Sequence, residues 1–142
     1  MNVTRVLKPA FVFSVVIYAV VALIVLGTPR WDTPWIPEDS SRATLVLVFS
    51  AMAVMTWTAG LVFGRRKPGS PGAGGDPAQQ RFIVAAAFVE AGAIFGLVLS
   101  FLNQDARYAI LFAVPTALLI LMLPTESPEP RSSEHEGPPP IE

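Results

Sequence analysis

Cysteine is absent from the chain, and histidine occurs once, as His135. The first absence excludes disulfides, thiolate nucleophiles, cysteine-ligated zinc, iron–sulfur clusters and palmitoylated cysteine. The lone histidine lies in a polar tail and is expected to be solvated rather than part of a metal site or a catalytic triad, so no metal and no cofactor is expected. Charge is scarce as well. Asp, Glu, Lys and Arg make up 15% of the residues, against about 25% in soluble domains. What is abundant is apolar: 52% of the chain is hydrophobic, with a mean hydropathy of +0.52. That balance excludes an ordinary soluble domain, and disorder over most of the chain, and it points to an integral membrane protein.

Four apolar runs follow one another, at residues 9–27, 43–63, 82–102 and 108–123. At ~1.5 Å per residue, about 20 residues cross a hydrocarbon core about 30 Å thick. The first three runs meet that length. The fourth is short, and Arg107 at its start is expected to snorkel toward the interface. The expected fold is all-α, a polytopic four-transmembrane-helix bundle over residues 1–124. A disordered, acidic, proline-rich cytoplasmic tail is expected over 125–142. Arg5 and Lys8 precede the first run as in a signal peptide. However, the run is longer than an h-region and no A-x-A-like site follows, so a retained helix is expected.

Orientation follows from the lysines and arginines. Arg5, Lys8, Arg65, Arg66, Lys67, Arg81 and Arg131 fall in the N-terminus, the second connection and the tail. Arg30, Arg42 and Arg107 fall in the first and third connections. The excess predicts a multi-pass membrane protein with both termini cytoplasmic and residues 28–42 outside. Trp31 and Trp35 in that outer loop read as boundary anchors, with a ligand-binding aromatic lip as the sharper alternative. Residues 67–80, KPGSPGAGGDPAQQ, read as a flexible linker and contain no phosphate-loop pattern. Pro138-Pro139-Pro140 offers a polyproline II segment to a partner domain, although a solubilising tail is the simpler reading.

One charge lies inside a run. Glu90 sits about 13 Å from the cytoplasmic end of its helix, near the midplane. A charged carboxylate there costs roughly 2.5–3.5 kcal/mol on insertion scales. It is therefore expected to be neutral, hydrogen-bonded or in contact with water, and turned into the bundle. Ala86, Ala87, Ala93 and Ile94 share its helix face, and the alanines let a neighbour approach closely. Gly92 and Gly96, extended by Ser100, form a G-x-x-x-G stripe on another face. That stripe is a packing surface for a sister helix, for a second protomer of a homo-oligomer, or for a larger membrane complex. Depth alone selects Tyr18, Thr56 and Thr116 as hydroxyl partners for Glu90, together with the Leu111 carbonyl freed by Pro115. Ser14, Ser50 and Ser100 are expected to bond their own helix backbones.

The stretch Ala87-Phe88-Val89-Glu90-Ala91-Gly92-Ala93-Ile94-Phe95-Gly96-Leu97-Val98 resembles the second helix of the ATP synthase c subunit. In that family an ion-carrying Glu is followed by Ala, two variable residues, Ile, an aromatic residue, Gly, Leu and Val. The resemblance implies a carboxylate that is loaded and released, at the position of Glu90. The preceding run departs from that family, carrying only Gly60 beside Met52, Met55 and Trp57 where the c subunit has a glycine ladder. The whole layout resembles small four-helix bacterial membrane proteins with a Glu-bearing third helix, a resemblance that implies no particular activity. Three readings are thus open. One is a structural protein or accessory subunit of a membrane complex. Another is a proton- or ion-handling component with Glu90 as the carrier. The third, a membrane enzyme, lacks paired carboxylates, a cysteine nucleophile or a metal cluster within the runs. The expected partner is the lipid bilayer; nucleic acid is not.

Overall fold

A computed structural model describes residues 3–65 and 77–124. Most of the linker expected at 67–80, and the whole tail expected at 125–142, lie outside the described residues. Those described form four helices and no strand: α1 (Val3–Leu26), α2 (Ser40–Arg65), α3 (Pro77–Asn103) and α4 (Arg107–Met122). Three stretches are long and apolar enough to cross a membrane, Val6–Leu26, Ser40–Arg65 and Gln79–Asn103. With 16 residues, α4 reaches only about 24 Å. Large apolar side chains such as Phe13, Ile24 and Met55 point outward from α1 and α2. A water-soluble bundle turns such residues inward, whereas hydrocarbon solvates them. The fold is that of a small four-helix membrane protein.

Local chemistry sets the helix ends. Gly27 follows α1 with φ of 81°, and its N–H donates to the Leu23 carbonyl at 3.0 Å, a left-handed C-terminal stop that glycine adopts without steric cost. Asp39 caps α2, its Oδ1 accepting the Ser41 N–H at 3.0 Å. Pro77 opens α3, where the fixed φ of proline suits a first turn; residues 77–80, expected in the linker, are therefore helical. At the other end of α3, Gln104 takes φ of 53°, and the Asp105 N–H donates to the Ser100 carbonyl at 2.9 Å. This tight reversal makes α4 antiparallel to α3.

Packing centres on α3, which lies broadly against all three other helices. α1 lies against α3 and α4. α2 lies along α3 and meets α4 narrowly, and α1 and α2 do not touch. Small residues make this possible. Gly60 of α2 rests on the α3 backbone, so a Cβ there would come 2.8 Å from the Ala85 carbonyl oxygen. Gly92 lies under Trp57 of α2, and Gly96 under Phe112 of α4. The G-x-x-x-G stripe is thus filled by two sister helices. Ala86 and Ala93 are buried, but Ala87 is exposed, against its expected place in the packed face. Helix angles explain the split. At ~100° per residue, Ala86 and Ala93 flank Glu90 on one side, and Ala87 and Ile94 on the other. Only the first flank is covered, so Glu90 stands at the rim of an interface.

Candidate functional site

Glu90 projects from the middle of α3 toward two hydroxyls one turn apart on α1. Tyr18 donates its O–H to Glu90 Oε1 at 2.9 Å. Ser14 Oγ contacts the same oxygen and also lies 2.8 Å from the Phe11 carbonyl. The backbone bond expected for Ser14 is thus present, and its single proton has a second acceptor in Glu90. Between the two hydroxyls Val15, 1% exposed, enters a core with Val89 and Ala93. A stripe of α1 thus presents polar groups where α3 carries its one carboxyl, and apolar groups beside it. Oε2 has no hydrogen-bond partner among the described residues.

The other depth-matched hydroxyls point elsewhere. Thr56 donates to the Ala53 carbonyl of its own helix at 2.9 Å. Thr116, fully buried, accepts the indole N–H of Trp57 at 3.0 Å. Glu90 makes no hydrogen bond to α4 among the described residues, at Pro115 or elsewhere. Equal depth gives two side chains the same height, but contact also needs matching rotation. Thr116 pairs with Trp57 of α2 and Thr56 stays on its own helix, so neither threonine reaches Glu90.

A second polar cluster closes the end of the bundle at the first loop. Arg107 does not snorkel; it is 4% exposed. Its guanidinium donates to the carbonyls of Arg30 (3.0 Å), Thr33 (2.6 Å) and Pro34 (2.5 Å). Its Nε lies 2.9 Å from Asp105 Oδ2, a charge contact rather than an aligned hydrogen bond. The rings of Trp35 and Tyr108 lie 5.2 Å from the same group, within cation–π range. Asp105 Oδ1 accepts the N–H groups of Arg107 (3.0 Å) and Arg30 (3.3 Å). The Tyr108 hydroxyl donates to the Trp35 carbonyl at 2.8 Å. Ser100, expected to bond its own helix, accepts the Ala109 N–H at 2.7 Å and so satisfies a first-turn donor of α4. Sequence reasoning missed this clamp. Its visible signal was an acid two residues before an arginine, beside a proline-rich loop whose carbonyls lack helical partners.

Among the described residues, no group of three or more His, Cys, Asp or Glu side chains is placed to hold a metal ion. No family model matches the chain, and comparisons with curated proteins and with solved structures find no match either. The likeness of residues 87–98 to the c subunit therefore rests on those residues alone.

Proposed function

We propose that this protein acts structurally, or as an accessory subunit of a membrane complex, and that Glu90 is the acid that fastens α1 to the bundle. The observation that carries the reading is that both hydrogen bonds of Glu90 go to α1, from Ser14 and Tyr18. Helices in lipid gain nothing from burying apolar surface against each other, since hydrocarbon is as apolar as leucine. A hydrogen-bonded acid then gives α1 a definite register and a definite neighbour. The lysine and arginine excess supports an orientation with both termini in the cytoplasm; a bacterial inner (plasma) membrane setting rests on the resemblance of the layout to small bacterial membrane proteins. Because the glycine stripe is occupied within the chain, association with another protomer or subunit would use the outward faces of α1 and α2.

A second reading makes Glu90 a proton or ion carrier. It is favoured by the uncovered flank at Ala87 and Ile94, which leaves the acid at a rim rather than sealed. The likeness of residues 87–98 to the c subunit points the same way. Two substitutions separate the readings. Glu90→Gln keeps shape and hydrogen bonding but does not ionise. If Glu90 is a fastener, this variant retains both folding and cellular effect, while Glu90→Ala loosens α1. If Glu90→Gln folds normally but abolishes the cellular effect, the structural reading fails and the carrier stands.

A further inference from the structure

The narrow contact between α2 and α4 leaves an open groove beside the first loop. It encloses about 360 Å³ and is lined by Ile36, Val46, Leu47, Leu111 and Phe112, with Ser50 as its one hydroxyl-bearing α2 residue. Its lips, Leu47 (58% exposed) and Leu111 (45% exposed), open sideways from the bundle. Its roof does not collapse into it, because Tyr108 holds the Trp35 carbonyl and Arg107 the Pro34 carbonyl. In a protein seated in a bilayer, a preformed apolar groove that opens sideways faces acyl chains.

The polar side of the same region is built as well. One α-turn above Val46, on the same face of α2, stands Arg42. It lines a second cavity of about 210 Å³ with Arg30, Glu38 and Asn103, and Tyr108 is a wall of both cavities. Arg107 and Asp105 also line it but neutralise each other. Arg42 makes a loose, exposed contact of 3.8 Å with Asp39. What remains is two guanidinium groups and one carboxylate, those of Arg42, Arg30 and Glu38.

We propose that this end of the bundle seats one phospholipid whose headgroup carries a phosphate and a primary ammonium. One acyl chain lies in the α2–α4 groove. The phosphate accepts from Arg42 and Arg30. The ammonium, with three donors, serves Glu38. A quaternary ammonium has no N–H to give that carboxylate, and a headgroup with phosphate alone leaves it unserved. The inference rests on the membrane reading of the chain and adds a specific lipid to it.

The test uses the full chain reconstituted in vesicles of phosphatidylethanolamine and phosphatidylglycerol, then extracted gently for native mass spectrometry. One retained phosphatidylethanolamine is expected, favoured over phosphatidylglycerol by about tenfold, the effect of roughly 1.4 kcal/mol. Ser50→Phe and Leu47→Trp, which fill the groove, are expected to remove it. Met55→Trp, on an outward position of the same helix, is expected to leave it. Glu38→Gln is expected to abolish the headgroup preference while lipid is still retained. Absence of a retained lipid, equal loss in Met55→Trp, or preference for phosphatidylglycerol overturns the proposal. Release of the protein from membranes by alkaline carbonate overturns the membrane reading itself, and so marks the two failures apart.

Discussion

Trp57 donates its indole N–H to Thr116 Oγ1 at 3.0 Å by passing close over Gly92 of the intervening helix. α2 and α4 hardly meet otherwise, so a glycine on α3 permits the hydrogen bond between them. A Cβ at position 92 would fall 2.6 Å from the indole Cε2. Gly92→Ala is therefore expected to destabilise the fold by about 1–3 kcal/mol, an overpacking cost. Trp57→Phe keeps a ring over Gly92 but strands the buried Thr116 hydroxyl, at about 1–3 kcal/mol. Thermal unfolding in detergent, followed by circular dichroism, measures both. A Gly92→Ala protein as stable as the parent would refute the close approach.

The Arg107 clamp makes a second prediction. Arg107→Leu leaves Asp105 buried and unpaired, which costs about 3–5 kcal/mol in such pairs. It also frees three loop carbonyls at once. The expected result is a lower unfolding temperature together with faster proteolysis within residues 28–39. Adding Asp105→Asn should recover part of the stability but not the loop protection, because the carbonyl donors stay absent. Unchanged protease resistance in Arg107→Leu would show that the loop is held by something else.

Gln104 bears φ of 53°, a left-handed backbone that favours glycine. Gln104→Gly is expected to stabilise the α3–α4 turn by roughly 0.5–1 kcal/mol, the left-handed penalty less the extra chain entropy of glycine. The same argument with opposite sign makes Gly27→Ala destabilising. Equilibrium unfolding in mixed micelles compares the pair. Two shifts of the same sign would contradict the assignment.

For the α1–α3 contact, a double-mutant cycle over Tyr18→Phe and Glu90→Ala isolates the hydroxyl–carboxyl term. Coupling of about 0.6–1.7 kcal/mol is expected, the range of interhelical hydrogen bonds in membranes. Zero coupling would mean that the 2.9 Å contact contributes nothing to fastening α1.

The absence of cysteine makes the topology directly testable. Single cysteines introduced as Asp32→Cys and Ser70→Cys report on the first and second connections without background. A membrane-impermeant maleimide applied to intact cells should label position 32 and spare position 70. The reverse pattern would invert the proposed orientation.

The hydrophobic runs were legible because lipid demands long, uncharged helices with their backbones satisfied internally, and that demand is written in consecutive residues. The prominence of α3 was partly legible too, since alanine and glycine crowd into residues 85–96. Rotation was not legible. Run length places Thr56, Thr116 and Tyr18 at similar heights but says nothing of which way they turn, and only Tyr18 turns to Glu90. Ser14 bonds its own backbone as expected, and a hydroxyl that always finds that carbonyl in range hides its second acceptor on another helix. Arg107 was misread for a related reason. Its partners are main-chain carbonyls of residues 30, 33 and 34, and a carbonyl leaves no mark in the amino-acid letters.

The lack of contact between α1 and α2 has a bearing on how the chain is made. Synthesis runs from the N-terminus, so α1 enters the bilayer before α2. Neither finds its packing surface in the other. Both await α3, which supplies the acid for Ser14 and Tyr18 and the glycine for Trp57. The loop between them also waits, since Arg107 and Tyr108 emerge later still. The first half of the protein is thus two solitary helices in lipid, and assembly starts with the second half. A ribosome stalled before residue 77 would leave a pair of inserted helices with no reason to stay together.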